Sequence, residues 1–242
     1  GPSSKDPWSL GATPQPMSPK LAGEDLSGVR IGYIELMANP RLAADVRANT
    51  LQALDAWRDM GAEVEQVTDK IDWIEYEGRV LYQAGFAVTC AQYLPKWQNQ
   101  MDPVTLAFMD RGAKFTLADF RNAQFARTVL FRTIQSLFER YDFLVSPTNS
   151  RTALDIGHDA ANDEVVVDGV KCGITRQGWT SYQYPFNLTG HPAMAVPSGF
   201  GTDGLPTSVQ IIGKWASETD VLRLGALLEQ ARPWAQHRPP AL

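Results

Sequence analysis

Pro185-Phe186-Asn187-Leu188-Thr189-Gly190-His191-Pro192-Ala193-Met194-Ala195-Val196-Pro197-Ser198-Gly199, with Gly204-Leu205-Pro206-Thr207-Ser208-Val209-Gln210-Ile211-Ile212-Gly213 close behind, decides how this chain is read. Residues 193–200 and 206–213 have the composition of two strands. They are joined through Gly201-Thr202-Asp203-Gly204, whose glycines accept positive φ, so a hairpin is expected. Asn187 and Thr189 are placed at a bend where the chain enters a buried strand. An amide side chain there satisfies backbone groups that a turn leaves unpaired. Gly190 and Gly199 allow close backbone approach, and Pro192 and Pro197 hold their predecessors extended.

Upstream, residues 28–35 give a short apolar strand, and Asn39-Pro40 reads as a helix start with proline at the first helical position. Val46, Thr50, Ala53, Leu54 and Trp57 share one face of that helix. Gly61 supplies a left-handed stop, and residues 62–68 alternate like a strand. A strand-helix-strand unit of this kind suggests a parallel pair covered by a helix. Helical patterns follow over 73–93 and 104–110. Thr116 with Asp119 forms a capping box that opens a long helix ending near Arg140. Phe120, Ala123, Arg127, Leu130, Ile134 and Phe138 recur along that helix at helical spacing. Residues 141–146 read as a buried strand closed by Pro147.

The acidic segment 155–171 contains the start of a small hairpin, 164–167 with 170–174, around Asp168-Gly169. Ser217 and Asp220 suggest a second capping box, followed by Val221, Leu224, Gly225 and Leu228 on one helix face. Pro233, Pro239 and Pro240 end regular structure. Residues 1–27, with Pro2, Pro7, Pro14, Pro16 and Pro19, read as a proline-rich connector. The fold expected is α/β, a mixed sheet flanked by helices, with 1–27 as connector and 28–242 as the folded part.

A 44% hydrophobic share and seven tryptophans belong to a globular protein. A net charge of −5 argues against a nucleic-acid footprint, which needs a basic face. No apolar run approaches the ~18–20 residues that cross a bilayer, and the polar, proline-rich start does not read as a signal peptide. Cys90 and Cys172 lack metal spacing and read as buried thiols of a reducing cytoplasm. The chain begins Gly1-Pro2, which fits either excision from something longer or removal of a tag.

The quoted run resembles the C-terminal hallmark of the amidase signature hydrolases, serine enzymes that cleave carboxamides with a Ser-Ser-Lys triad. Further stretches match that family's C-terminal half in order: Gly1-Pro2-Ser3-Ser4-Lys5-Asp6-Pro7, 30–35, Met60-Gly61-Ala62-Glu63-Val64, Tyr141-Asp142-Phe143-Leu144-Val145-Ser146-Pro147-Thr148, and the end from Gly213 to Glu229. The resemblance covers essentially the whole chain and implies the C-terminal part of the amidase signature fold. It implies that a Lys deprotonates a bridging Ser, which activates a second Ser to attack the amide carbonyl. A glycine-rich loop would donate to the oxyanion.

Such a triad needs a Gly-Ser-Ser-Gly-like stretch and a distant Lys, and neither is present. Ser3-Ser4-Lys5 cannot replace groups that a fold brings together. No catalytic residue is therefore assigned, and the partner implied is the N-terminal half of the same enzyme. The resemblance sets 179–187 against the catalytic centre, so Trp179, Thr180, Tyr182, Gln183, Phe186 and Asn187 are the expected substrate-binding residues. Their aromatics suggest an apolar pocket, and Gln183 is the polar lining group. At Thr180 the glutamine amidotransferase A-type subunit carries a carboxylate that grips the substrate amino group. An arginine of that branch, falling near Leu106-Ala107, is also missing here. A simple amidase acting on a small-molecule amide is favoured over that branch.

Asp155, His158, Asp159 and Asp163 match no recognised ligand spacing and read as a solvated loop. His191 occupies a variable slot, and His237 lies in a proline-rich tail. Phosphate-loop and dinucleotide glycine patterns are lacking. The sequence thus calls for no cofactor, metal, nucleic acid or membrane, and leaves homo-oligomerisation of the whole enzyme open. The contrasting reading is a non-catalytic binding or scaffold module derived from an amidase. An exposed sheet edge and apolar surface are expected if the other half is missing, and a polar, solvated face if it is not needed.

Overall fold

A computed structural model describes residues 16–238. Readings on residues 1–15 and 239–242, including Ser3-Ser4-Lys5 and the prolines at 2, 7, 14, 239 and 240, lie outside the described residues. In chain order, β1 (Arg30–Tyr33), α1 (Ala44–Asp59) and β2 (Glu63–Gln66) come first. Helices α2 (Glu75–Thr89), α3 (Leu94–Trp97), α4 (Pro103–Gly112) and α5 (Leu117–Leu137) follow. Next are β3 (Phe143–Pro147), β4 (Val166–Val167), β5 (Val170–Lys171), α6 (Thr175–Gly178) and α7 (Tyr184–Thr189). The last elements are β6 (Ala193–Phe200), β7 (Pro206–Gly213) and α8 (Glu218–Ala231). Two compact units result: Gly1–Lys70 with Gln135–Leu242, and Ile71–Ile134.

The first unit holds a five-stranded sheet in the order β2-β1-β3-β7-β6. β1 runs parallel to β2 and β3, whereas β7 runs antiparallel to β3 and β6, so the sheet is mixed. The helical crossover α1 permits the parallel β1/β2 pair, and the short 201–204 turn requires the antiparallel β6/β7 pair. β3 is buried at all five residues, as a central strand covered on both faces must be. Ile31, Tyr33, Phe143, Val145, Val209 and Ile211 alternate onto one face of the sheet. α1 seats Ala53, Leu54 and Trp57 there, and α8 adds Val221, Leu224, Leu227 and Leu228. Leu21 and Leu26, within the expected connector, are buried in the same core.

The left-handed stop at Gly61 is present, with φ of 98°, and returns the chain to β2. The small hairpin turns on Asp168 and Gly169, both at positive φ (46° and 77°), as the two-residue turn demands. Of the glycines expected to bend the 201–204 turn, only Gly204 lies at positive φ (78°).

Two helix starts differ from the sequence reading. α1 begins at Ala44, four residues beyond Pro40, and has no side-chain cap of its own. The first-turn N–H of Ala44 instead donates to Asp168 Oδ2, 3.0 Å away on the hairpin turn. Ser217 precedes α8 without capping it; its hydroxyl donates back to the Lys214 carbonyl at 2.6 Å. Asp220 accepts from the Ser18 N–H at 2.7 Å instead of closing a box.

The second unit is helical. Asp102 caps α4 by accepting from Val104 N and Thr105 N at 2.9 and 3.1 Å, with Pro103 at the start. The Thr116–Asp119 box opens α5 as read from the sequence: Asp119 N donates to Thr116 Oγ1 at 3.1 Å, and Thr116 N donates to Asp119 Oδ2 at 2.8 Å. Hydrogen bonds from the Thr116 hydroxyl and N–H hold the Asp119 carboxyl below its ordinary range. Leu117, Phe125 and Val129, at helical spacing along α5, are 79%, 59% and 61% exposed. That leaves an apolar stripe uncovered.

Candidate functional site

β6 and β7 form the hairpin expected of the hallmark run, with an irregularity between Pro197 and Gly199. The residues leading into it do not form a simple bend. Tyr184–Thr189 is a short helix with Pro185 in its first turn, and Gly190 closes it in the left-handed conformation (φ 70°). The Gly190 N–H donates to the Phe186 carbonyl at 2.9 Å. Proline near a helix start and glycine just past its end, a few residues apart, was the signal available in the sequence. Asn187 and Thr189 are thus helical residues; Asn187 is exposed and Thr189 buried.

The segment before α7 is tied down by buried polar contacts beside the carboxyl ends of β1 and β3. Asn39 Nδ2 donates to the Gly178 carbonyl at 3.0 Å, and the Ser150 hydroxyl donates to the same oxygen. The Ser181 hydroxyl donates to Asn39 Oδ1. Ser150 N donates to the Trp179 carbonyl at 3.1 Å, and Ala43 N to the Ser150 carbonyl at 2.8 Å. Gln210 Nε2 reaches from β7 to the Tyr182 carbonyl at 3.2 Å and Ser146 Oγ at 3.3 Å. Each group is removed from water, so each hydrogen bond must be made inside the protein. Asn39 reads in the sequence only as a helix start, and Ser150, Ser181 and Gln210 carry no signal there of these roles. A lone buried Asn or Gln carries no spacing pattern that distinguishes it from a turn residue.

The six expected site residues fall into two groups. Tyr182 and Phe186 are fully buried in this chain, and the Tyr182 hydroxyl donates to the Glu35 carbonyl at 2.9 Å. Burial, with Tyr33 and Glu35 nearby, raises the Tyr182 phenol above its ordinary range. Trp179, Thr180 and Gln183 are half-buried, and Asn187 is exposed. Trp179 Nε1 donates to the Arg151 carbonyl at 3.0 Å. The Trp179 ring lines a cleft of about 130 Å³ with Val46, Asn149, Thr152 and Thr207. The Thr180 N–H donates to the Thr175 carbonyl at 3.1 Å. Gln183 Nε2 donates to Asn149 Oδ1 at 2.8 Å.

His191 sits where the chain leaves α7 for β6 and is 5% exposed. Its ring nitrogens lie 2.9 Å from Thr189 Oγ1 and 3.1 Å from Gln135 Oε1, and the ring stacks on Phe138. Burial pushes its pKa down to about 4 from 6.5. As pH falls below about 6.5 the unfolded chain takes up a proton that the folded chain refuses, so stability is lost between about pH 6.5 and 4. Urea unfolding at pH 7 and pH 5 should show a loss of about 1 kcal/mol, discounted for partial solvent screening. The His191→Gln variant should show a flatter dependence over that interval.

The 155–163 loop is organised by its own turns. Asp159 accepts from Ala161 N and Asn162 Nδ2, and Asp163 accepts from Asp159 N. His158 Nε2 lies 2.9 Å from Thr175 Oγ1. Among the described residues, no group of three or more His, Cys, Asp or Glu side chains is placed to hold a metal ion. Among them, too, no helix is long and apolar enough to cross a membrane. Cys172 is buried as expected, whereas Cys90 is only half-buried; both are free thiols.

The amidase family model matches residues 2–222. An acylamidase of Rhodococcus erythropolis is 28% identical over 99% of this chain and 50% of its own length. The A-type subunit of the glutamyl-tRNA(Gln) amidotransferase of Symbiobacterium thermophilum is 29% identical over 99% of this chain and 52% of its own length. Among solved structures, 6-aminohexanoate cyclic dimer hydrolase has the same fold with a TM-score of 0.73 at 21% identity. That match covers 99% of this chain and 50% of the hydrolase. The chain therefore spans about half the length of the curated relatives it matches. By a family match that runs over most of its length, this chain belongs to the amidase family.

Proposed function

We propose that the chain is the C-terminal part of an amidase that hydrolyses a carboxamide C–N bond. It builds the wall of the acyl pocket, and the Ser-Ser-Lys triad comes from an N-terminal half outside these residues. One observation carries the reading: the chain spans about half the length of the acylamidase and the amidotransferase subunit, and its sequence holds no Gly-Ser-Ser-Gly-like stretch. Trp179, Thr180, Gln183 and Asn187 face the acyl group, while Tyr182 and Phe186 hold the wall rigid from the core behind it. Thr180, which cannot supply a carboxylate, supports an amidase over a glutamine amidotransferase. The enzyme needs no cofactor and works in the cytoplasm, in keeping with two free thiols.

Two surface features support a missing partner half over a self-contained binding module. β6 is the outermost strand of the sheet on its side and exposes Ala193, Ala195 and Phe200, and α5 exposes its apolar stripe. The test compares the purified chain alone with the chain co-expressed with an N-terminal half carrying the triad, using an acyl anilide as substrate. No turnover is expected from the chain alone, and the co-expressed halves should copurify and release the arylamine. Hydrolysis by the lone chain would place the nucleophile here and defeat the proposal. Failure to copurify would favour the module reading.

A further inference from the structure

The proposed pocket wall carries two side-chain amides whose polarity is set by the backbone beside them. Gln183 Nε2 donates to Asn149 Oδ1 at 2.8 Å and faces the Thr148 carbonyl oxygen at 3.5 Å. That carbonyl can only accept, so it distinguishes the two ends of the Gln183 amide and draws the NH₂ group inward. Asn149 must then offer its oxygen to the same NH₂ group. Gln183 Oε1 and Asn149 Nδ2 are left without a partner among the described residues. The Thr148 hydroxyl alongside is buried and likewise without one. An acceptor and a donor thus stand side by side just past the carboxyl end of β3.

We infer that Asn149 is a positioning residue that keeps Gln183 Oε1 turned toward the substrate, making the site selective for carboxamides that carry an N–H. The inference rests on the amidase reading above. A primary or secondary amide donates its N–H to Oε1. An ester has only oxygen at that place and an N,N-disubstituted amide has carbon, so either leaves the acceptor unmatched. Without Asn149 the Gln183 NH₂ group keeps only the long 3.5 Å contact with the Thr148 carbonyl, so its orientation is held weakly and the distinction fades. Asn149 is half-buried and lines the cleft beside Trp179, so it acts on the same wall as the expected site residues.

The assembled enzyme, both halves together, is assayed with a secondary acyl anilide and its N-methyl counterpart. Asn149→Ala should raise KM for the anilide about tenfold, the worth of one hydrogen bond, with kcat unchanged. The N-methyl substrate should be unaffected, so discrimination between the two falls about tenfold. Asn149→Asp keeps an oxygen for Gln183 Nε2 and should restore the discrimination. Equal losses on both substrates, or unchanged discrimination in Asn149→Ala, overturn the inference.

If the assembled enzyme turns over no amide, it is the amidase reading that fails. The pair is then tested directly in the ¹⁵N-labelled chain. The Gln183 side-chain NH₂ protons, assigned by their loss in Gln183→Glu, should be protected from solvent exchange in the native chain and in Asn149→Asp but not in Asn149→Ala. Free exchange in the native chain overturns the positioning role.

Discussion

Trp57→Ala is expected to lower the stability of the chain by about 3–5 kcal/mol, measured as the shift in guanidinium unfolding free energy. Trp57 is fully buried in the last turn of α1, in the core cluster shared by that helix, the sheet and α8, and is among the largest side chains there. Its indole N–H donates to the Leu224 carbonyl at 3.3 Å, so truncation removes a polar tie between α1 and α8 as well as packing. The void would lie in the core cluster shared by α1, the sheet and α8, where close-packed neighbours relax only in part. Against a total of about 5–15 kcal/mol, such a loss brings the chain near the unfolding threshold. Trp57→Phe keeps most of the apolar volume and should cost less than half as much. A loss below about 1 kcal/mol for the alanine variant would mean that α1 is not seated as described.

Asn39→Leu is expected to cost about 2–3 kcal/mol and to loosen the 178–183 segment. Leucine is close to asparagine in size, so the effect is one of hydrogen bonding. The Gly178 carbonyl keeps the Ser150 hydroxyl as donor, but the Ser181 hydroxyl, fully buried, loses its acceptor. An unpaired buried hydroxyl carries its full desolvation penalty, about 1–3 kcal/mol, and the lost Asn39–Gly178 bond adds to it. Urea unfolding of Asn39→Leu, Ser181→Ala and the double variant forms a cycle whose coupling should exceed about 1 kcal/mol. A coupling near zero would show that the two side chains act independently. In the assembled enzyme, Asn39→Leu should weaken anilide binding as well, because Gln183 lies two residues beyond Ser181.

Much of the sheet was legible in the chain. The β6/β7 hairpin is announced by two apolar runs around a short glycine turn, and the buried face of α1 by Val46, Thr50, Ala53, Leu54 and Trp57. The Thr116–Asp119 box and the Gly61 stop work within three or four residues and were read directly. The candidate site comes from the resemblance, which marks the segment 179–187. Tyr182 and Phe186 are packed into the core of this chain, and the bend expected at Asn187 and Thr189 is the helix α7, bracketed by Pro185 and Gly190. Asn149 carries no signal in the sequence, because its contact with Gln183 spans 34 positions.

The division follows the range of the interactions. Periodicity, capping within one turn and the handedness of glycine are satisfied by neighbours, so the chain alone announces its strands and covering helices, and the order of its motifs carries the family resemblance. The first turn of α1 is capped by Asp168 from 124 positions away, and 179–183 is seated through Asn39, which bonds Gly178 across 139 positions. Those partners meet only after the sheet has closed, and each bond is strong there because the fold has already excluded water. Where helix α1 starts, which side chains of 179–187 are exposed and which way the Gln183 amide faces are therefore properties of the tertiary structure.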